Sequence, residues 1–211
     1  MNTSATSTKK TSWGHFLIPL LLQTALILTI PARALITSVT GQTIILQTVP
    51  VDPYDLLRGY SQTLRYNISD ISDLKSLKGW EELWEKTQNQ KFDPKQEYLY
   101  ISEAIELYVI LEAPKDQAQI PPQPWKAIAV SLEKPQNLPE NQVALQGVAL
   151  FNSVKYGLET YYFPEAKRIE INQKISRNQG NQQNSFVVEV KVDQQGYAIP
   201  PQFDIMQNYE S

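Results

Sequence analysis

Between Phe16 and Ile36 the chain reads FLIPLLLQTALILTIPARALI, twenty-one residues carrying a single charge, Arg33. At the helical rise this run spans about 31 Å, close to the thickness of a bilayer's hydrocarbon layer. Pro19 falls in the first turn, where a missing N–H costs little, whereas Pro31 is expected to kink or end the regular helix. Trp13 belongs at the near interface, and Arg33 can reach back toward the far headgroups. Lys9 and Lys10 precede the run, and after Arg33 the next charged residue is Asp52. The positive-inside bias therefore sets residues 1–15 as a cytoplasmic tail, 16–36 as a transmembrane anchor, and 41–211 as an extracytoplasmic domain, periplasmic or luminal. A rival reading takes the run as a cleavable signal, since Ala32-Arg33-Ala34 offers a small-x-small site that would leave Leu35 as the new N-terminus.

The rest of the chain is long enough to bury a core without disulfides. There is no Cys among the 211 residues, which removes disulfides, thiolate catalysis and Cys-based metal sites. The only histidine, His15, lies at the edge of the apolar run. The expected domain therefore has no imidazole for general-base work or for zinc, copper or iron, and no cofactor or metal is expected. A net charge of -3 gives no electrostatic case for nucleic acid.

Past a break at Gly41, β-branched Thr43–Val49 reads as a strand, followed by a proline-rich connector from Pro50 to Gly59. Leu64, Tyr66 and Ile68 alternate with polar residues, the period of a strand. Ser69 or Asp70 can cap a helix whose apolar positions Ile71, Leu74, Leu77, Trp80, Leu83 and Trp84 recur at three to four residues. Gly79 weakens its middle, so two short helices are an alternative. Its stripe is expected to pack on the sheet, with Trp80 and Trp84 as a candidate docking face. Further strands are expected at 106–112, 126–132, 143–151, 155–163 and 186–192, with a short one near Tyr197, and a helical turn is possible over 168–176. The expected fold is mainly β with a minor α component: a small antiparallel β-sandwich or barrel-like domain with one attached helix.

Two blocks carry a resemblance. GQTIILQTVPVDPYDLLRGYSQTLRY, residues 41–66, resembles the opening of the GDYXXLXY family of bacterial membrane-anchored proteins. Asp52, Pro53, Asp55, Arg58 and Gly59 match its lead-in, and Leu64 and Tyr66 match its tail. Tyr156-Gly157-Leu158-Glu159-Thr160-Tyr161-Tyr162-Phe163-Pro164-Glu165 is similar to its second block. The name-giving triplet departs from the pattern, with Gly59-Tyr60-Ser61 where the family has G-D-Y, so the motif's carboxylate is missing. The resemblance implies an anchored β-rich protein without an assigned activity, associated with polytopic membrane proteins.

Turn chemistry explains the first block without a ligand: Asp52 before Pro53 favours an Asx-type turn, and Arg58 can pair with Asp52 or Asp55. The second block sets Glu159 and Glu165 among phenols. On a continuous strand Glu159 shares a face with Tyr161 and Phe163, where burial would suit it either to acid–base work or to a hydrogen-bonded structural role. Two function classes follow. One is an exported binding or assembly module beside a multi-pass membrane partner. The other is a membrane-tethered hydrolase using Glu159 and Glu165, or a Ser–Lys pair formed by Ser61 or Ser153 with Lys155.

Overall fold

The structure, a computed structural model, describes residues 13–49, 61–88, 101–116, 119, 122–162 and 187–200. Helix α1 runs Gly14–Thr40, with Pro19 and Pro31 inside it. Its two parts, Phe16–Thr29 and Pro31–Thr40, meet at a bend of 42°. The bend falls at Pro31, whose missing N–H and ring clash break the hydrogen-bond ladder one turn back. Among the described residues no single helix is long and apolar enough to cross a membrane; this bent pair meets that test by length and composition together.

The chain is mainly β. Strand β1 (Gln42–Val49) follows α1 after Gly41 alone. It is succeeded by β2 (Ser61–Thr63), β3 (Arg65–Tyr66), helices α2 (Ile71–Leu74) and α3 (Trp80–Gln88), and β4 (Ile101–Glu112). Then come β5 (Lys126–Ser131), β6 (Gln142–Phe151), β7 (Ser153–Lys155), β8 (Thr160–Tyr162), β9 (Val187–Val192) and β10 (Ala198–Ile199). One antiparallel sheet has the order β10-β9-β1-β3, a second β5-β4-β6-β7, and β2 with β8 forms a separate ribbon. β1 alternates as its sequence suggests, burying Ile44, Leu46 and Thr48. Ile44 and Leu46 join Val188, Val190 and Val192 of β9, Leu107, Val109 and Leu111 of β4, and Val143 and Leu145 of β6 in one buried cluster. Each fully buried aliphatic side chain stabilises the fold by about 1.5–3 kcal/mol relative to exposure.

The helix expected after Ser69 is two short helices. Asp70 caps α2, its carboxylate accepting from the Ser72 N–H at 2.9 Å and from the Ser72 hydroxyl at 2.7 Å. These bonds hold the Asp70 carboxyl below its ordinary value. α2 ends at Leu74, and Gly79, at φ +86, turns the chain into α3. There the chain meets β5, where the Val130 N–H donates to the Lys78 carbonyl at 2.8 Å. Ile71, Leu74 and Leu83 are buried, and Leu77 and Trp80 pack partly against the core.

One expectation differs from the structure: the strand expected over 155–163 is two strands of different sheets, β7 and β8, because the chain bends between them at Gly157, φ +76. The first sequence block begins at the end of α1, and β1 leads away from it: Tyr66 pairs with Thr48, six residues up the strand from Gln42, about 20 Å at the strand rise. The end of the fold holding Gln42, Gln142 and Asp193 is the near pole, and the end holding Val49, Tyr66 and the Leu150–Ser153 turn is the far pole.

Candidate functional site

The two blocks, ninety residues apart in sequence, are one structure at the far pole. Ser61, Gln62 and Thr63 pair with Tyr162, Tyr161 and Thr160. The ladder continues through the Leu64 N–H, which donates to the Glu159 carbonyl at 2.7 Å. Two buried tyrosines then cross in opposite directions. The Tyr66 hydroxyl donates to the Leu158 carbonyl at 2.8 Å, and the Tyr156 hydroxyl donates to the Ile68 carbonyl at 2.6 Å. Each phenol thus satisfies a carbonyl in or just beyond the other block, in a region where an unpaired acceptor is costly. Leu64 and Leu158 fill the space between them, both buried. The Tyr156 ring lies over Gly147 of β6, where any β-carbon would come within 2.9 Å of it. Burial, with the Glu159 charge beside it, pushes the Tyr156 phenol well above its ordinary value.

Glu159 is not on a strand face among phenols. Its Oε1 accepts from the Tyr156 backbone N–H at 2.6 Å, closing the four-residue bend that Gly157 permits. The carboxylate thus holds the turn that separates β7 from β8. Ser153 and Lys155 both lie opposite buried Val154 on β7, half-exposed and exposed respectively, and no hydrogen bond joins them. Asp52, Pro53, Asp55, Arg58, Gly59, Pro164 and Glu165 lie outside the described residues, as does 168–176. The backbones of Ser61, Tyr161 and Tyr162 are placed by the β2–β8 ladder. Trp80 is half-buried against the core, and Trp84 is half-buried one turn on, so the candidate docking face is partly taken up by the domain itself. Among the described residues no group of three or more His, Asp or Glu is placed to hold a metal ion.

A second constellation, at the near pole, was not foreseen in the sequence. Asp193 sits in the turn between β9 and β10. Its Oδ1 accepts from the Gln195 and Tyr197 N–H groups at 2.8 and 2.9 Å. Its Oδ2 faces α1, where it lies 3.2 Å from the Thr37 hydroxyl, whose one proton is shared with the Arg33 carbonyl at 3.0 Å, and 3.5 Å from Arg33 Nε. The Arg33 guanidinium stacks 4.2 Å from the centre of the Tyr197 ring. One carboxylate therefore shapes a hairpin with one oxygen and clamps the helix with the other. The D-x-x-G spacing of Asp193 and Gly196 is a turn signal visible in sequence, but its reach to α1 is not. Beside the clamp is a shallow groove of about 610 Å³, lined by Thr40, Gln42, Lys134, Gln142 and Gln194.

A helix joined through Gly41 alone to an antiparallel, mainly β domain, with its sequence blocks locked into a buried far-pole latch, defines a helix-and-β-domain class of protein. Within that class the chain belongs to the GDYXXLXY protein family, whose model matches residues 23–203. The match starts at Gln23, inside α1, rather than at Gly41 where the resemblance first shows. No curated protein and no solved structure matches the chain.

Proposed function

We propose that this chain is a retained, single-pass membrane tether whose β domain stands outside the cytoplasm as a binding or assembly module for a multi-pass membrane protein. The observation that carries this reading is the Asp193 clamp: the Asp193 carboxylate of the domain lies 3.2 Å from the Thr37 hydroxyl and pairs with Arg33 of the helix at 3.5 Å. Cleavage after Ala34 would remove Arg33 and cut within a regular helix, so the clamp favours retention over a cleaved signal.

Three further features support the tether. Leucines and isoleucines of α1 from Phe16 to Leu28 are exposed all round the helix. The hydroxyls of Thr24, Thr29, Ser38 and Thr40 each donate to a carbonyl three or four residues back, as hydrocarbon surroundings would require. The orientation follows from Lys9 and Lys10 on the short N-terminal side. In this reading the two sheets, which share one core, close as a sandwich with the β2–β8 ribbon across its far pole.

The far-pole polar groups support a binding module over a hydrolase, since the Tyr66, Tyr156 and Glu159 side chains are all bonded to backbone. No observation among the described residues favours the Ser–Lys alternative. Affinity purification from detergent-solubilised membranes tests the proposal. A multi-pass membrane protein recovered in constant proportion is the expected outcome, and a chain that elutes alone at every detergent concentration overturns it.

A further inference from the structure

The second half of α1, Pro31–Thr40, has two unlike sides. Arg33 and Thr37, one turn apart, face the domain; Thr37 is fully buried and Arg33 is held by Asp193 and Tyr197. Away from them Leu35, Ile36 and Val39 are 66%, 62% and 80% exposed. This bare face offers no unsatisfied hydroxyl, because Ser38 and Thr40 donate to the Leu35 and Ile36 carbonyls at 2.7 and 2.9 Å. It also continues directly from the exposed apolar surface of Phe16–Leu28, so the uncovered apolar stretch does not stop at Arg33 but runs on to the base of the domain.

We propose that Pro31–Thr40 is a seating element: Leu35, Ile36 and Val39 rest in the boundary between headgroups and acyl chains of a lipid surface, and the near pole of the domain sits on the headgroups. The inference rests on the tether reading above. Its physical basis is that of an interfacial amphipathic helix, with one polar side satisfied and one apolar side buried about 5–10 Å into the boundary. Here the polar side is satisfied by the domain rather than by water. The 42° bend at Pro31 tips this half away from the axis of the first, as a helix leaving the bilayer core for its surface requires. Arg33, on the side of this half turned from Leu35 and Val39, then lies at the headgroup level with Asp193 and Tyr197 as its partners. The near pole carries both signs, Arg33 and Lys134 with Asp193 and Glu140, so the seat needs no anionic lipid.

The chain has no cysteine, so each introduced thiol is unique. Full-length Ile36→Cys and Val39→Cys variants are spin-labelled and reconstituted in phosphatidylcholine vesicles. Leu21→Cys in the first half of α1 and Lys155→Cys at an exposed position on β7 serve as references. Circular dichroism checks that each variant is folded, and flotation checks that it stays with the vesicles. Collision with oxygen and with a water-soluble nickel chelate is then measured. The expected result is an oxygen-over-chelate ratio at positions 36 and 39 several-fold above that at 155 and approaching that at 21. Labels at 36 and 39 as open to the chelate as the label at 155 overturn the seat. So do labels shielded from both reagents, which would mean that protein, a partner helix or a second copy, covers the face. A chain that does not float with the vesicles overturns the tether reading itself, whereas a chain that floats with wet labels overturns the seat alone.

Discussion

Tyr66 and Tyr156 show how much of a sequence motif can be absorbed by folding. Each phenol is buried and donates to a backbone carbonyl in or just beyond the opposite block. Removing either hydroxyl leaves that carbonyl unsatisfied, so Tyr66→Phe and Tyr156→Phe should each cost about 1–3 kcal/mol, read from chemical denaturation of the detergent-solubilised chain. Tyr156 also makes a pH-dependent contribution. Its folded value lies well above 10.0, from burial first and the Glu159 charge second. The unfolded chain releases this proton above about pH 10 while the folded chain keeps it, so stability should fall by about 1.4 kcal/mol per pH unit there. That contribution is whole below pH 10 and is lost as pH rises toward the folded value. In the difference between wild type and Tyr156→Phe, the alkaline fall should be steeper for wild type; parallel curves would contradict the assignment.

At the level of elements, the strand patterns located β1, β5, β6 and β9 nearly to the residue, and β1 and β9 bury alternate side chains against one core. The three-to-four pattern also found the apolar positions of the α2–α3 segment, whose helix breaks between Leu74 and Trp80 where Gly79 takes φ +86. Strand patterning failed over 155–163. Tyr-Gly-Leu-Glu-Thr-Tyr-Tyr-Phe alternates well enough to read as one strand, yet Gly157 and the Glu159 carboxylate fold it into a bend. Nor does any local pattern reveal that β2 pairs with β8, because the partners lie roughly a hundred positions apart. The two glycines near Tyr156 separate these effects. Gly147→Ala would place a β-carbon 2.6 Å from Val154 Cγ1 and 2.9 Å from the Tyr156 ring, and should cost about 1–3 kcal/mol through displaced packing. Gly157→Ala meets no atom within 4 Å, so its cost should be confined to backbone strain at φ +76, about 1 kcal/mol. Denaturation midpoints in which Gly157→Ala is much the worse of the two would contradict this packing.

For the whole molecule, the consequence lies in how the helix meets the domain. A flexible tether would let the β domain tumble above a surface, whereas the Asp193 clamp fixes the domain's orientation relative to α1. Asp193→Asn keeps an oxygen for the Gln195 and Tyr197 N–H groups but removes the charge that holds Arg33. It should leave the melting behaviour nearly unchanged while broadening the distance distribution between spin labels at positions 36 and 155. An unchanged distribution would make the ion pair incidental. The clamp also bears on whether the apolar helix is a lasting part of the protein. The most direct measurement is the N-terminal sequence and intact mass of the chain recovered from its native membranes. Retention predicts that residues before Ala34 are present and the helix complete. A mature N-terminus at Leu35 would contradict it.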